Sequence, residues 1–376
     1  MTATTHPQSS SVGEVAMYVA FELGTRSWTV AVTSGLGVEP WVQQLPAGDW
    51  AALDRILTKA RARLSVPLAA PVVSCYEAGR DGFWIHRALV ARGVRNQVID
   101  SASIEVDRRA RRTKTDRIDA RKLVILLVRV CLGDRRACRT VRVPTVAAEA
   151  ARQVSRDRSG LVEDRTRVIN QMRGWLATWG APWPARRQGA WWTTVRDWTG
   201  AAVPATVQDR LARASGRLAL LEQQIAELEA IQQTAVRTAP AASAAGRLRR
   251  LKGVGVTGIA TLLQEGLVWR AFTNRRQVGA MLGFTPTRYD SGTLHRDTGI
   301  SGAGNPRLQC TTVQLAWSWL RCQPSSALAR WYHARFGVGR RARRIGIVAL
   351  ARKLLIALWR CATAGVIPDG AIVLAR

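Results

Sequence analysis

Four carboxylates and one serine carry most of the chemistry this sequence can offer. Glu22 closes an apolar run, Met17 to Glu22 (MYVAFE), and Glu77 closes another, Pro71 to Glu77 (PVVSCYE). Asp116 and Asp119 lie three apart in a stretch that predicts a helix from Asp116 to Cys131, so they share a helix face. Acids drawn from two strand ends and one helix can hold two divalent cations. Carboxylate oxygens are hard ligands that suit Mg²⁺ or Mn²⁺, and two such ions clamp the attacking and leaving oxygens of a phosphodiester. Taken singly, each acid also fits a solvated surface group or a cap, and Asp116 could simply begin its helix. The surrounding RRARRTKTDRIDARK offers Arg108, Arg109, Arg111, Arg112, Lys114 and Arg117 as phosphate contacts. Ser291 sits in a Gly-, Ser- and Arg-rich stretch, Leu282 to Leu308 (LGFTPTRYDSGTLHRDTGISGAGNPRL). A serine in a Gly-flanked loop can act as a nucleophile, with Arg288, Arg296 and Arg307 neutralising a phosphate. It can equally make a turn, as most loop serines do. Ser301 is its nearest competitor, and His295 the nearest imidazole.

The elements that must position these groups follow from periodicity. Met17 to Glu22 and Trp28 to Thr33, joined by a Gly-Thr-Arg-Ser turn, read as a hairpin. Pro71 to Glu77 and Val94 to Ile99 read as further strands, and Trp50 to Leu64 and Asp81 to Arg92 as helices. The N-terminal region is therefore α/β. In the middle, Val154, Leu161, Val168 and Trp175 recur every seven residues, and Leu211, Leu218, Leu221, Ile225 and Leu228 follow a similar rule. That spacing predicts two long helices, paired as an antiparallel or intermolecular coil or as part of one bundle. A Trp- and Pro-rich break, Gly180 to Trp192, separates them. Leu251 to Leu262 (LKGVGVTGIATL) sets Lys252, Gly253 and Gly255 in a turn between helical segments. This has the form of a helix-hairpin-helix, which grips phosphates through backbone N–H groups, or of a plain Gly turn.

The bulk composition narrows the partners. Of 376 residues, 56 are Lys or Arg against 26 Asp or Glu, which leaves +30. Such a field attracts polyanions, and nucleic acid is the commonest large one inside cells. Five of the 56 basic residues are Lys; Arg is the better bidentate phosphate ligand, although GC-rich coding bias also favours it. No apolar run reaches the roughly 18 residues a membrane span needs, and the start lacks a signal-peptide pattern. The expectation is a cytoplasmic protein, on the nucleoid when bound. Six scattered cysteines without a CxxC point to reduced thiols. With 47% hydrophobic residues, two or three domains with sizeable cores are expected. The polar composition of residues 1–14 predicts a disordered tail.

FELGTRSW, CYEAGRDGFW and above all RRARRTKTDRIDARKL resemble the RuvC-like domain of the insertion-sequence 110 (IS110) family of transposases, relatives of the Piv-type DNA invertases. GFTPTRYDSG followed by GISGAGNPRL is similar to the C-terminal transposase domain of that family. The two blocks stand in the family's order, and the resemblance spans about residues 15 to 365. It implies a ribonuclease-H-like domain at 15–135, a helical coiled-coil region at 136–245, and a small, mostly helical domain at 246–376. It also implies a DEDD tetrad at Glu22, Glu77, Asp116 and Asp119, with Ser291 as the nucleophile that joins DNA. Partners implied are element and target DNA, an element-encoded guide RNA, and further copies in a dimer or tetramer. Three positions depart from the family: Glu22 stands where most members have Asp, Gly302 where many have Lys, and Gln309 where many have Arg. Two other readings stay open beside it. A Holliday-junction resolvase-like nuclease needs the acids but not the serine, and an inactive nucleic-acid-binding remnant needs neither.

Overall fold

A computed structural model describes residues 15–104, 115–134, 136–267, 270, 272–291, 294–302, 304–336 and 339–374. The chain divides into two compact units, residues 1–143 and 144–376.

The N-terminal unit is a mixed sheet covered on both faces. Its elements are β1 (Met17–Leu23), β2 (Ser27–Thr33), β3 (Trp41–Pro46), α1 (Trp50–Arg63), β4 (Val72–Glu77), α2 (Trp84–Ala91), β5 (Arg95–Ile99), α3 (Asp116–Cys131) and β6 (Thr140–Val141). The sheet order is β3-β2-β1-β4-β5-β6. The first three strands form an antiparallel meander, while β1, β4 and β5 run parallel. The expected hairpin is β1–β2, paired from Tyr18 opposite Thr33 to Leu23 opposite Trp28. This mixed α/β layout is consistent with the ribonuclease-H-like fold. Alternation divides β1 between two cores. Met17, Val19 and Phe21 pack with Trp28, Leu53, Ile85 and Leu89, on the side of α1 and α2. Tyr18 and Ala20 pack with Ala31, Val73, Cys75 and the Ala120, Leu123, Val124 and Leu127 stripe of α3. Small residues at Ala20 and Ala31 let α3 lie close to the sheet. A fully buried Leu or Phe side chain here contributes roughly 1.5–3 kcal/mol.

The C-terminal unit is helical apart from one hairpin. Two 33-residue helices open it, α4 (Val146–Thr178) and α5 (Ala205–Arg237). Val168, Met172 and Leu176 of α4 share a core with Leu211, Ala214 and Leu218 of α5, and Arg158 pairs with Glu229. The ends so matched make the pair antiparallel. The seven-residue apolar spacing thus serves a pairing within the chain. The Trp-rich break forms the tip, where Trp191 packs edge-on between Trp183 and Trp192. Then follow α6 (Ala244–Arg249), α7 (Val256–Leu262), a π-helical segment at Leu263–Leu267, α8 (Arg275–Met281), β7 (Pro286–Ser291), β8 (Leu294–Ile300), α9 (Pro306–Cys322), α10 (Ala327–Phe336) and α11 (Arg340–Ala364). Leu350, Leu354, Leu355 and Leu358 make α11 the central helix of a core that includes Trp319, Leu308, Leu282 and Val236. Gly365, at φ +72°, ends α11 in the left-handed conformation that favours glycine.

Candidate active site

The sheet register sets the first two acids side by side. β1 and β4 are parallel neighbours with Phe21 opposite Tyr76. One residue further along, Glu22 meets the level of Glu77. Alternation carries both onto the face of Ala20 and Cys75, the face that α3 covers. Two contacts give the direction of α3. Cys75, near the end of β4, donates through its Sγ to Leu123 O at 3.8 Å. Cys131, at the other end of the helix, lies near Tyr18 early in β1; burial raises the Tyr18 hydroxyl pKa, and Cys131 raises it further. The helix therefore starts toward the strand ends that bear Glu22 and Glu77. Thr115, not Asp116, caps it, accepting from Ile118 N. Asp116 and Asp119 fall in the first turn, where the positive helix end favours a carboxylate by about 0.3–1 kcal/mol. Glu77 and Asp116 are exposed, Glu22 and Asp119 half-buried.

Among the described residues, no three His, Cys, Asp or Glu side chains stand close enough together to hold one ion. The sheet register and the direction of α3 place the four acids toward one end of the sheet. The donor set itself, four carboxylates and no sulfur or imidazole, fits Mg²⁺ or Mn²⁺. Of the basic residues beside the acids, Arg117 is exposed, while Arg108, Arg109, Arg111, Arg112 and Lys114 lie outside the described residues.

The region of Ser291 is a β-hairpin where the sequence predicts a loop or short strands. Ser291 is the last residue of β7, opposite Leu294 in β8. The register also sets Tyr289 opposite Arg296, Asp290 opposite His295, and Arg288 opposite Asp297. Gly292 and Thr293, which join the strands, lie outside the described residues. Ser301 has a local structural role: its Oγ donates to Gly283 O and its N–H to Thr285 O, both at 3.1 Å. Gln309, where many family members have Arg, ties the same loop down by donating to Leu282 O at 2.8 Å and Gly302 O at 3.3 Å. Arg307 is half-buried in the first turn of α9, whose cap, Asn305, accepts from Arg307 N and Leu308 N.

Lys252, Gly253 and Gly255 form the turn between the short helices α6 and α7. Lys252 is exposed. Gly253 sits at φ +84°, and a Cβ there would lie 2.7 Å from Cys322 Cβ. Its carbonyl accepts from Ser318 Oγ at 2.9 Å. The tight packing of Gly253 is thus against α9, and Gly255 serves as the N-cap of α7.

Sequence reasoning missed Glu265, whose side chain is 0% exposed. Arg152 donates to its Oε2 through Nε (3.0 Å) and Nη2 (2.8 Å), Arg156 Nε donates to Oε1 (3.1 Å), and Asn305 Nδ2 donates to Oε2 (3.0 Å). Burial raises the Glu265 carboxyl, but Arg152, Asn305 and Arg156 outweigh it and hold the group below the usual glutamate range. The one available signal was an acid in the apolar run ATLLQEGLVW, where an ionised group needs a cation.

Comparison with known proteins assigns both halves. A family model described as Transposase IS116/IS110/IS902 family matches residues 245–331, and a DEDD transposase model of the IS110 type matches residues 47–179. A Sinorhizobium fredii protein named as a transposase, y4rJ, is 39% identical over 95% of this chain and 94% of its own length. A Pseudomonas aeruginosa protein named as a family 20 transposase is 30% identical over 60% of this chain and 67% of its own length. The chain belongs to the IS110 family of transposases.

Proposed function

We propose that this chain cuts and rejoins DNA strands of a mobile element and its target, with Glu22, Glu77, Asp116 and Asp119 holding Mg²⁺ or Mn²⁺ and Ser291 as nucleophile. The observation that most supports the acid site is the parallel register of β1 and β4, which pairs Phe21 with Tyr76 and so carries Glu22 and Glu77 to the same level at adjacent strand ends, on the face covered by α3. When bound, the divalent ions would offset the charge that builds on the attacking and leaving oxygens. Ser291 Oγ attacks phosphorus, a P–O bond to deoxyribose breaks, and the released strand end leaves with a hydroxyl. A deoxyribose hydroxyl later attacks the phosphoserine, restoring the serine and closing the new junction. Exposed Arg340, Arg341 and Arg344, Lys252 at the α6–α7 turn, and Arg117 are basic groups suited to phosphates. With Arg288, Arg296 and Arg307 they support binding of DNA and of a structured guide RNA. Family membership is the ground for expecting the guide RNA and the dimer or tetramer.

The decisive measurement is the covalent protein–DNA adduct. Ser291→Ala should abolish it together with strand exchange while DNA binding persists, and Ser301→Ala should retain it. Cleavage that leaves free ends with both variants would favour the resolvase-like nuclease.

A further inference from the structure

The loops after β1, β3 and β4, with the start of α2, line an open cavity of about 300 Å³ in the N-terminal unit. Gly24 follows β1, Gly48 follows β3, and Arg80, Asp81 and Trp84 follow β4, with Trp28 among the walls. Gly24 lies two residues beyond Glu22, and Arg80 three beyond Glu77. The aromatic wall is on the α1 and α2 side of the sheet, so a strand held here reaches the acids, on the α3 side, around the ends of β1 and β4. Trp28 is 2% exposed and anchors the aromatic wall, whereas Trp84 is 47% exposed. Trp84 is braced rather than loose: its ring centroid lies 6.0 Å from Trp28 and 5.9 Å from Trp50. Gly48, at φ +79°, makes the left-handed turn after β3 that brings this loop to the cavity. Arg80 Nη1 donates to Thr25 Oγ1 at 2.8 Å, which ties the two loops together at the rim, and Nη2 donates to both oxygens of the neighbouring Asp81, at 3.1 and 3.2 Å, in an exposed ion pair that a bound nucleotide would have to share.

A rigid, outward-facing indole beside one guanidinium and one carboxylate matches the parts of a single nucleotide. Every base has a π-face that stacks on an aromatic ring, and Arg meets its phosphate. A carboxylate accepts from base-edge N–H groups. Enzymes that work on nucleic acid inside a duplex often take a base out of the stack and hold it in such a pocket. We propose that this cavity holds one unpaired nucleobase of the strand whose phosphate is presented to Glu22 and Glu77. The base stacks on Trp84, its phosphate meets Arg80 and its edge meets Asp81. The inference rests on the reading of those two acids as part of the reaction centre.

The test uses the full chain without divalent metal and a single-stranded oligonucleotide carrying one 2-aminopurine, whose fluorescence falls on stacking. Trp84→Ala should weaken binding by roughly 5- to 150-fold, the range for loss of one base–aromatic stack, and reduce the quenching. Trp84→Phe should keep most of both, and Val90→Ala, exposed on the same helix, should match the parent protein. Should Trp84→Ala fold poorly, Arg80→Ala at the exposed rim should still lower affinity and quenching together. Unchanged affinity and quenching in a folded Trp84→Ala or Arg80→Ala variant overturns the pocket. Glu77→Gln separates the two ideas: it should still bind and quench, and if it recombines normally the acid site fails whatever the pocket does.

Discussion

Two sets of carboxylates in this protein live under opposite conditions. Glu265 is fully enclosed, with Arg152, Arg156 and Asn305 on its two oxygens. Glu77 and Asp116 stand exposed, at a strand end and at a helix start. The first arrangement commits the charge to the fold, because a buried carboxylate must be matched by cations and donors. The second asks little of the fold and leaves the oxygens accessible to ions from solution. A carboxylate held by arginine is thus poorly placed to bind metal, and one that adds little to stability is well placed to do so. The contrast predicts that activity and stability will separate cleanly between the two sets.

The largest effect should come from the exposed set. Asp116→Asn or Glu77→Gln should lower recombination by on the order of 10³-fold or more, since several kcal/mol of charge stabilisation is lost. Thermal unfolding and nucleic-acid affinity should stay close to those of the parent protein. Normal recombination by either variant would remove that acid from the site, and a large fall in melting temperature would make it structural.

Glu265→Gln should show the reverse pattern. Neutralising one partner of a buried pair leaves Arg152 without its counter-charge, at a cost of about 3–5 kcal/mol. The midpoint of urea unfolding should drop with little change in slope. The pH dependence has a definite sign. The folded-state pKa of Glu265 is lowered, so its ionised form stabilises the protein fully above the unfolded value, about 4.3. That contribution is lost as pH falls through the lower folded value. The stability gap between parent and variant should therefore be constant near neutrality and narrow below about pH 4. A gap that widens in acid would contradict the assignment.

The exposed site was far more legible in the sequence than the buried one, and for a physical reason. Apolar alternation in MYVAFE and PVVSCYE fixes strand faces locally, so Glu22 and Glu77 could be assigned to strand ends from a few residues each. The helix from Asp116 to Cys131 has a Thr cap and an apolar stripe, and its ends agree with α3. β3, from Trp41 to Pro46, was not read, because WVQQLP is short and alternates weakly. Glu265 meets Arg152 and Arg156 across more than a hundred residues, and no local pattern encodes such a pairing. The hairpin at Ser291 was hidden by its polar composition; β7 and β8 hold their register through backbone pairing, which leaves no mark on residue type. The cavity beside Trp84 arises from three loops far apart in sequence, though two of them belong to the FELGTRSW and CYEAGRDGFW segments.

The two arginines on Glu265 should differ, and the smaller effect is the finer test of the comparison. Arg152 makes two hydrogen bonds to Oε2 and has a side chain 20% exposed, while Arg156 makes one, to Oε1, and is 38% exposed. Removing Arg152 strips one of the two cations and two of the four hydrogen bonds from a carboxylate that water cannot reach. Removing Arg156 leaves Arg152 and Asn305 in place, and its more open position lets water replace the lost donor. Arg156→Ala should therefore cost about 1 kcal/mol, near the value of one hydrogen bond, and Arg152→Ala about 2–3 kcal/mol. In the background of Glu265→Gln both costs should shrink, since the arginines then have no charge to neutralise, and the coupling should be larger for Arg152. Urea midpoints for the three single and two double variants measure this directly. Equal costs for the two arginines, or full additivity with Glu265→Gln, would mean that the enclosed carboxylate is not organised by its cations, and the contrast with the exposed acids would lose its basis.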